Sequence, residues 1–289
     1  MLSEATAPPS NALVLLDCRT QLNAPHVGRE AWESGHIPGA QYASLDTQLA
    51  AAAHSQGTSG GGRHPLPPRA QLVEQCSAWG ISADTQVVAY DDAGGAFAAR
   101  AWWLLRWLGH TKVAVLNGGI QAWQAQPNTV LESTLDESAD SPQRGQFEDR
   151  LSLTRLAQLG EIESLVKSGI TSPQLIDARA EPRFKGEMEP IDPVAGHIPG
   201  ARCLPHSGNL NSDGLFLEPQ ALAERFTDPE DAHSSAEVIC YCGSGVTATH
   251  NILAMSVAGL PEPKLYVGSW SEWCADPARP IAPARATTD

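Results

Sequence analysis

Short apolar runs alternate along this chain with amphipathic segments. The runs at Leu13–Asp17, Val87–Tyr90 and Val113–Leu116 have the length and aliphatic content of buried strands. Between the last two, the segment AFAARAWWLLRWLG repeats apolar positions at helical spacing and ends at Gly109, a residue that favours a helix C-terminus. Strands that alternate with helices predict an α/β fold, in which mainly parallel sheets are covered by helices on both faces.

The same pattern occurs twice. Four segments have counterparts in the same order, displaced by about 150 to 160 residues: LVLLDCRT and PQLIDARA, SGHIPGAQYASLD and AGHIPGARCLPHS, QVVAYDDAGG and EVICYCGSGV, AVLNGGIQAW and KLYVGSWSEW. Four collinear matches are poorly explained by chance, so the sequence predicts two tandem domains, residues 1–138 and 151–289. The polar segment LDESADSPQRGQFEDR predicts a linker at residues 139–150.

Glycine and proline interrupt the first half at residues 51–69, AAAHSQGTSGGGRHPLPPR. This composition predicts a long loop without regular structure, because proline lacks an amide donor and glycine loses more conformational entropy than other residues in a helix or strand. Long loops within compact domains are frequently functional. We therefore treat this loop as a possible part of a binding site.

The formal net charge of -14 argues against a nucleic acid or an anionic membrane surface as partner. It leaves room for a small anionic substrate, since a site can be locally positive. No run approaches the roughly 18 apolar residues of a membrane helix, and the start MLSEATAPPSNALVLLD lacks the basic region of a signal peptide. These features predict a cytoplasmic protein. The six cysteines are too few for a disulfide scaffold, and most are expected to be buried thiols.

One cysteine stands in a different context, in VICYCGSGVTATH. Cys242 follows a predicted strand and begins a turn of small residues that leads into a helix. Ligands of open parallel sheets bind beyond the carboxyl ends of the strands. A small-residue turn can direct successive amides at one point, and the helix adds its own unpaired donors, so we expect the thiolate of Cys242 to be favoured and nucleophilic. The alternative of a buried core cysteine does not explain the nearby Gly243 and Gly245.

These motifs together resemble one family. CGSGVT, the duplicated GHIPGA, DAR, the pair Arg183–Phe184 and GSWSEW are similar to the tandem rhodanese-domain sulfurtransferases over nearly the whole chain. The form CGSGVT resembles the loop of members that use 3-mercaptopyruvate, whereas members that prefer thiosulfate usually carry basic residues there. The resemblance implies two rhodanese-like domains with the active cysteine in the second. Asp91 stands in the position of Cys242 in the first domain, which is therefore expected to be inactive and to form one wall of a cleft.

The implied reaction passes sulfur from 3-mercaptopyruvate to a thiol or cyanide through a persulfide on Cys242, with release of pyruvate. The acceptor could be a thioredoxin-like dithiol, a small thiol or cyanide, and no cofactor or metal is expected. Thiosulfate:cyanide sulfurtransferase and a non-catalytic sulfur carrier remain as alternatives. A cysteine phosphatase is disfavoured, because the position of its phosphate-binding arginine holds Ala248.

Arg183 matches the family's substrate-binding arginine, and a guanidinium suits a carboxylate because it donates two parallel bonds. The alternative is an ion pair with a local glutamate. The family's second arginine is absent from EMEPIDPVAGHIPG, and we expect Arg63 of the long loop to replace it. The predicted substrate-binding set is therefore Arg183, Arg63, Gly243, Gly245, Val246 and Thr247.

His64 and Asp46 resemble the family's proposed proton relay, together with Ser244. The pyruvate enolate must gain a proton after sulfur departs, and Ser244, backed by His64 and oriented by Asp46, could deliver it. The alternatives are a solvent-exposed loop histidine for His64 and a helix N-cap for Asp46.

Several motifs occur in both halves and so predict structure more than catalysis. His36 and His197 of GHIPGA are expected to position the chain after a tight turn. Asp17 with Arg19, and Asp177 with Arg179, are expected to form structural ion pairs. Cys240 is expected to face the core.

Overall fold

The chain folds into two α/β units whose sheets are entirely parallel. The computed structural model describes residues 13–51, 61–134, 143–169, 174–227 and 237–283. None of the described helices is long and apolar enough to span a membrane. The predicted fold class is confirmed, because each sheet is flanked by helices and every strand pair is parallel.

Within its described residues, the first unit contains four strands. Its elements, in chain order, are β1 (Leu13–Asp17), α1 (His26–Ser34), β2 (Gln41–Tyr42), α2 (Arg69–Ala78), β3 (Gln86–Tyr90), α3 (Ala98–Trp107), β4 (Val113–Val115) and α4 (Gly119–Gln124). The strand order is β2-β1-β3-β4. Both β1 and β3 lie inside the sheet, which explains their continuous aliphatic runs.

The described part of the second unit contains five strands and repeats this arrangement. Its elements are β5 (Arg155–Leu156), α5 (Leu159–Ser168), β6 (Gln174–Asp177), α6 (Glu181–Phe184), β7 (Arg202–Cys203), a 3-10 turn (His206–Asn209), α7 (Pro219–Phe226), β8 (Val238–Tyr241), α8 (Ala248–Val257), β9 (Lys264–Leu265) and α9 (Ser269–Trp273). The order is β5-β9-β8-β6-β7. Strands β3 and β8 occupy equivalent interior positions.

Helices α3 and α8 pack against each other and join the two units. Their buried side chains belong to one hydrophobic cluster that extends into both sheets. The prediction of α3 is confirmed, and Gly109, which follows it, has a φ of +82°. Because α3 follows β3 and α8 follows β8, this packing places the carboxyl ends of both strands near the interface between the units.

The predicted linker is partly described. Residues 135–142 lie outside the described residues, while 143–150 form neither helix nor strand. This part nevertheless packs on the first unit: the Gly145 amide donates to the Ser77 carbonyl at 2.8 Å, and Phe147 is buried in the core. The boundary at residue 150 stays a prediction.

The duplicated motifs have structural contacts in both units. Arg19 donates to Asp17 at 2.6 Å, and Arg179 donates to Asp177 at 2.7 Å. Each arginine also donates to a carbonyl just before its histidine, Gly35 or Gly196, at 2.7 Å. The histidines themselves bond to backbone carbonyls through Nδ1. These contacts fix the turns at the sheet ends, as the duplication predicted.

Candidate active site at the interface of the two units

Cys242 lies directly after β8, at the carboxyl end of an interior strand, and is 2% exposed. Helix α9 fixes its backbone: the Cys242 amide donates to Ser269 Oγ at 3.1 Å, and its carbonyl accepts from the Trp270 amide at 3.0 Å. Gly245 has a φ of +75°, and a Cβ there would lie 2.5 Å from the Val267 carbonyl oxygen. Only glycine therefore fits this turn. The predicted position of the thiol is confirmed.

The equivalent loop of the first unit shows what such a turn can bind. Asp91 replaces the cysteine, and its carboxylate is fully buried. Four amides donate to it at 2.8 to 2.9 Å, those of Ala93, Gly95, Phe97 and Ala98. This turn is therefore a binding site for an anion, as expected of converging amides before a helix.

The Cys242 loop has the same register of amides without an internal carboxylate. Those of Ser244, Val246 and Ala248 correspond to three of the four donors to Asp91, and no described residue accepts a hydrogen bond from them. The fourth, that of Thr249, donates to the Val246 carbonyl at 3.1 Å. This loop is therefore suited to a negatively charged group at residue 242 or attached to it.

Ser244 and His64 meet across the interface between the units. Ser244 Oγ lies 2.7 Å from His64 Nδ1, and both residues are buried. His64 Nε2 lies 3.5 Å from Asp46 Oδ1. The three residues predicted as a relay are thus brought together. The interpretation of His64 as an exposed loop residue is wrong, and so is the helix N-cap for Asp46, because residues 45–48 form a turn that no helix continues.

The surroundings of His64 hold its imidazole neutral at physiological pH. Burial lowers the pKa of His64 most, the nearby Arg100 and Arg63 add to this shift, and together they bring it to about 4. Burial raises the pKa of Asp46. With its proton on Nε2, the ring directs an N–H toward Asp46 and leaves Nδ1 to accept from the Ser244 hydroxyl. This arrangement can pass a proton through the serine.

Arg63 and Arg183 approach the cysteine loop from different units. A Cβ built on Gly243 would lie 3.3 Å from Arg63 Nη2 and 3.5 Å from Arg183 Nη2. Arg63 comes from the long loop of the first unit, whose Arg63 amide donates to Ser271 Oγ at 3.0 Å. Both guanidinium groups predicted to bind substrate therefore lie beside the residue that follows Cys242.

The alternative interpretation of Arg183, an ion pair with a local glutamate, is also correct, because Glu189 binds this guanidinium through both oxygens. Arg183 Nη2 and Nε donate to it at 2.6 and 3.0 Å. Burial opposes the ionisation of Glu189, but the Arg183 guanidinium and the amides of Asp192 and Ile191 lower its pKa. Arg183 Nη1 has no acceptor among the described residues. The ion pair thus orients Arg183 and leaves one nitrogen for a ligand.

Arg100 is a residue that the sequence reasoning missed. It lies on α3, is fully buried, and donates to four carbonyls, those of Gly245 at 3.0 Å, His64 at 3.2 Å, Leu49 at 3.3 Å and Pro65 at 3.5 Å. Burial lowers the pKa of Arg100 to about 10, and Cys242 opposes this shift. Arg100 therefore ties the His64 loop to the Cys242 loop. An arginine on the apolar face of a predicted helix was the available signal.

Two predicted substrate-binding residues have more limited roles than expected. The Val246 side chain is buried in the hydrophobic core, so only its backbone can face a ligand. The Gly245 carbonyl accepts from Arg100, and Val267 leaves no room for a side chain at this position. Thr247 is partly exposed just before α8.

Comparison with known proteins agrees with this geometry. The model of the rhodanese-like domain matches residues 2–126 and 161–276. A probable 3-mercaptopyruvate sulfurtransferase of Pseudomonas aeruginosa is 48% identical over 271 residues, 93% of this chain and 92% of the relative. A putative thiosulfate sulfurtransferase of Mycobacterium tuberculosis, SseB, is 38% identical over 92% of this chain and 89% of the relative.

A solved structure has the same fold. The 3-mercaptopyruvate sulfurtransferase from Leishmania major superposes with a TM-score of 0.76 at 31% identity, and the match covers 91% of this chain and 70% of that chain. Sequence and structure comparisons therefore give the same two-domain arrangement.

Proposed function

The chain belongs to the rhodanese family, and from this membership and the geometry at Cys242 we propose that it is a sulfurtransferase that takes sulfur from 3-mercaptopyruvate. The observation that carries the proposal is the contact of Ser244 with His64 beside the cysteine loop, 2.7 Å between Oγ and Nδ1. This contact places a hydroxyl that can give up a proton near Cys242. Pyruvate leaves as an enolate and needs such a proton.

In the first half-reaction, the Cys242 thiolate attacks the sulfur of 3-mercaptopyruvate. A sulfur–sulfur bond forms as the carbon–sulfur bond breaks, and the electron pair of that bond passes to the departing pyruvate enolate. Ser244, which is oriented by its hydrogen bond to His64, protonates the enolate carbon. The proton that the donor's thiol loses as its sulfur becomes the outer persulfide sulfur restores the Ser244 hydroxyl. The Cys242 persulfide that remains carries a negative outer sulfur, which the amides of Ser244, Val246 and Ala248 stabilise.

The donor's carboxylate binds to the two guanidinium groups beside Gly243. Arg183 offers Nη1, and Arg63 offers Nη2, so a planar carboxylate can accept from both units at once. Arg63 thereby replaces the arginine that EMEPIDPVAGHIPG lacks. Binding at the interface of the two units also holds the donor's sulfur near Cys242.

In the second half-reaction, an acceptor thiolate or cyanide attacks the outer sulfur, and the Cys242 thiolate leaves. A dithiol of the thioredoxin type would then resolve the new persulfide as a disulfide and release sulfide, while cyanide would leave as thiocyanate. We propose a thiol as the physiological acceptor, since thiols are the abundant nucleophiles of cells.

The second candidate is sulfur transfer from thiosulfate. It is favoured by the similarity to the putative thiosulfate sulfurtransferase SseB and by the two arginines beside Gly243, which suit a sulfonate as well as a carboxylate. Departing sulfite needs no proton on carbon, however, so this reaction leaves Ser244 and His64 without a role.

The test compares the two donors in parallel and follows the sulfur. We expect turnover with 3-mercaptopyruvate to exceed that with thiosulfate, and mass spectrometry of the donor-treated protein to show one added sulfur on the peptide of Cys242. Cys242→Ser should lose both signals, while Cys203→Ser, at a partly exposed cysteine outside the loop, should keep them. Faster turnover with thiosulfate would select the second candidate, and added sulfur without turnover would contradict both.

A further inference from the structure

A single buried carboxylate joins the two arginines of the proposed donor site. Asp192 lies between α6 and β7, and its side chain is 2% exposed. Its Oδ1 accepts from Arg63 Nη1, and its Oδ2 accepts from Arg183 Nη2 at 3.1 Å. The two arginines come from different units, so Asp192 sets the separation and orientation of their guanidinium groups across the interface.

The hydrogen bonds to Asp192 leave other nitrogens of both arginines for a ligand. Neither Arg63 Nη2 nor Arg183 Nη1 has an acceptor among the described residues, and each lies within 3.6 Å of a Cβ built on Gly243. Arg63 Nε is buried and has no partner within the described ranges. A buried guanidinium nitrogen without an acceptor is costly, so it points to an anionic ligand.

The arginines belong to a network whose formal charges cancel. Its three cations are Arg63, Arg179 and Arg183, and its three anions are Asp177, Glu189 and Asp192. Each carboxylate in it is buried. The network therefore offers directed N–H donors to a ligand without an excess of positive charge. A ligand with two negative charges gains less from such a site than from unpaired arginines, because its attraction to the cations is opposed by the carboxylates.

We propose that Asp192 determines donor specificity, by positioning the two arginines for a planar carboxylate and by disfavouring donors with two negative charges. This inference rests on the proposed function for the identity of the donor. The preferred class is a small 2-oxo acid that carries one negative charge. Thiosulfate, with two, is the disfavoured class.

The test is the ratio of kcat/KM for thiosulfate to kcat/KM for 3-mercaptopyruvate in Asp192→Asn. The Asp192 charge repels each negative charge of a bound donor, so its removal relieves two repulsions for thiosulfate and one for 3-mercaptopyruvate. We therefore expect the ratio to rise about tenfold. A residue that only supports the fold would lower both values together and leave the ratio unchanged. An unchanged or lower ratio would therefore overturn the proposal.

Two matched variants separate charge from geometry. Asp149→Asn removes the same charge at an exposed ion pair with Arg69, and its ratio should equal that of the wild type. Asp192→Glu keeps the charge while lengthening the side chain; we expect both kcat/KM values to fall and the ratio to stay within about twofold of the wild type. A tenfold rise in Asp192→Glu would show that charge is not the cause.

A binding measurement on the wild type keeps the proposal testable if Asp192→Asn does not fold. Pyruvate and oxalate are planar and similar in size but carry one and two charges. Calorimetric titration should show pyruvate binding about tenfold more tightly than oxalate. Equal or tighter binding of oxalate would overturn the role of Asp192 even if sulfur transfer from 3-mercaptopyruvate is confirmed. Conversely, failure of the wild type to release pyruvate would contradict the proposed function and leave this binding test intact.

Discussion

The two units place different groups at the same position of the same turn. Asp91 follows β3 and Cys242 follows β8. The Asp91 carbonyl accepts from the Ile120 amide near the start of α4, and the Cys242 carbonyl accepts from the Trp270 amide near the start of α9, both at 3.0 Å. The Asp91 carboxylate accepts hydrogen bonds from four amides, whereas three equivalent amides after Cys242 have no acceptor among the described residues. The first turn carries its own anion, and the second is open to one that forms during a reaction.

The first turn also supports the second. His250 on α8 lies 3.0 Å, through Nε2, from the Gly94 carbonyl in the turn after Asp91, and its ring stacks on Phe216. Burial lowers the pKa of His250 most, His206 lowers it further, and the hydrogen bond to the Gly94 carbonyl partly opposes the shift, which brings the pKa to about 3. The ring is therefore neutral at physiological pH. The turn after Asp91 therefore braces α8, the helix that follows Cys242. The comparison predicts a clean division, in which Cys242 serves chemistry and Asp91 serves stability.

The largest effect is expected from Cys242→Asp, which makes the second turn resemble the first. Removing the nucleophile should abolish sulfur transfer, by at least about a thousandfold. A carboxylate at this position can accept the open amides, so we expect the free energy of unfolding to rise by about 1–2 kcal/mol. Pyruvate release and urea denaturation measure the two effects. Residual turnover near the wild-type rate, or a marked loss of stability, would show that the two turns are not equivalent.

The next effect concerns Ser244, which has Ala93 as its counterpart and so marks the chemistry of the second turn. Ser244→Ala should lower kcat with 3-mercaptopyruvate by about 10²-fold, within the usual range for loss of a proton donor. The burst of persulfide formation with thiosulfate should change little, because departing sulfite needs no proton on carbon. Equal losses with both donors in single-turnover measurements would contradict the relay. Ser271→Ala, at a hydroxyl that binds the Arg63 amide, is the control for disturbance of the loop.

The pKa of His64 gives this relay a pH signature. Its value of about 4, against 6.5 for an unperturbed histidine, means that the folded protein does not protonate His64 until the pH falls well below 6. Turnover should therefore show no His64 step near pH 6.5. The unfolded chain takes up this proton first, so His64 makes stability decline as the pH falls from about 6.5 to 4. His64→Asn should flatten this part of the stability profile.

Local signals were sufficient for the fold and for the position of Cys242. The aliphatic runs that became β1, β3 and β4 and the helical spacing of α3 are read over a few residues, because buried parallel strands and amphipathic helices have distinct periods. The position of Cys242 follows from its turn, since small residues between a strand and a helix have few other arrangements. The meeting of Ser244 with His64 needed the resemblance to a family, because the two residues are 180 positions apart.

The remaining parts of the site depend on packing between the units, which no local pattern records. Asp192 reads as one acidic residue in a polar loop, yet it binds Arg63, which lies 129 positions away. Arg100 reads as a charged residue in a helix, and only the contact of α3 with α8 brings it to Gly245. The N-cap interpretation of Asp46 failed for the same reason. The chain there forms a turn that no helix continues, and the Asp46 carboxylate lies beside His64.

The smallest effect on activity is expected from Asp91→Asn. This variant tests most directly whether Asp91 contributes to stability and not to the reaction. An asparagine offers one oxygen to the amides that now bind Asp91 and turns an NH₂ group toward the others, so at least one buried donor loses its acceptor. We expect the free energy of unfolding to fall by about 1–3 kcal/mol, while kcat/KM at low temperature stays within about twofold. Asp92→Asn, at the exposed neighbouring carboxylate, should change neither. If Asp91→Asn instead reduced kcat/KM at full folding, the first turn would act on the chemistry through the His250–Gly94 contact, and the stability role assigned to it would be incomplete.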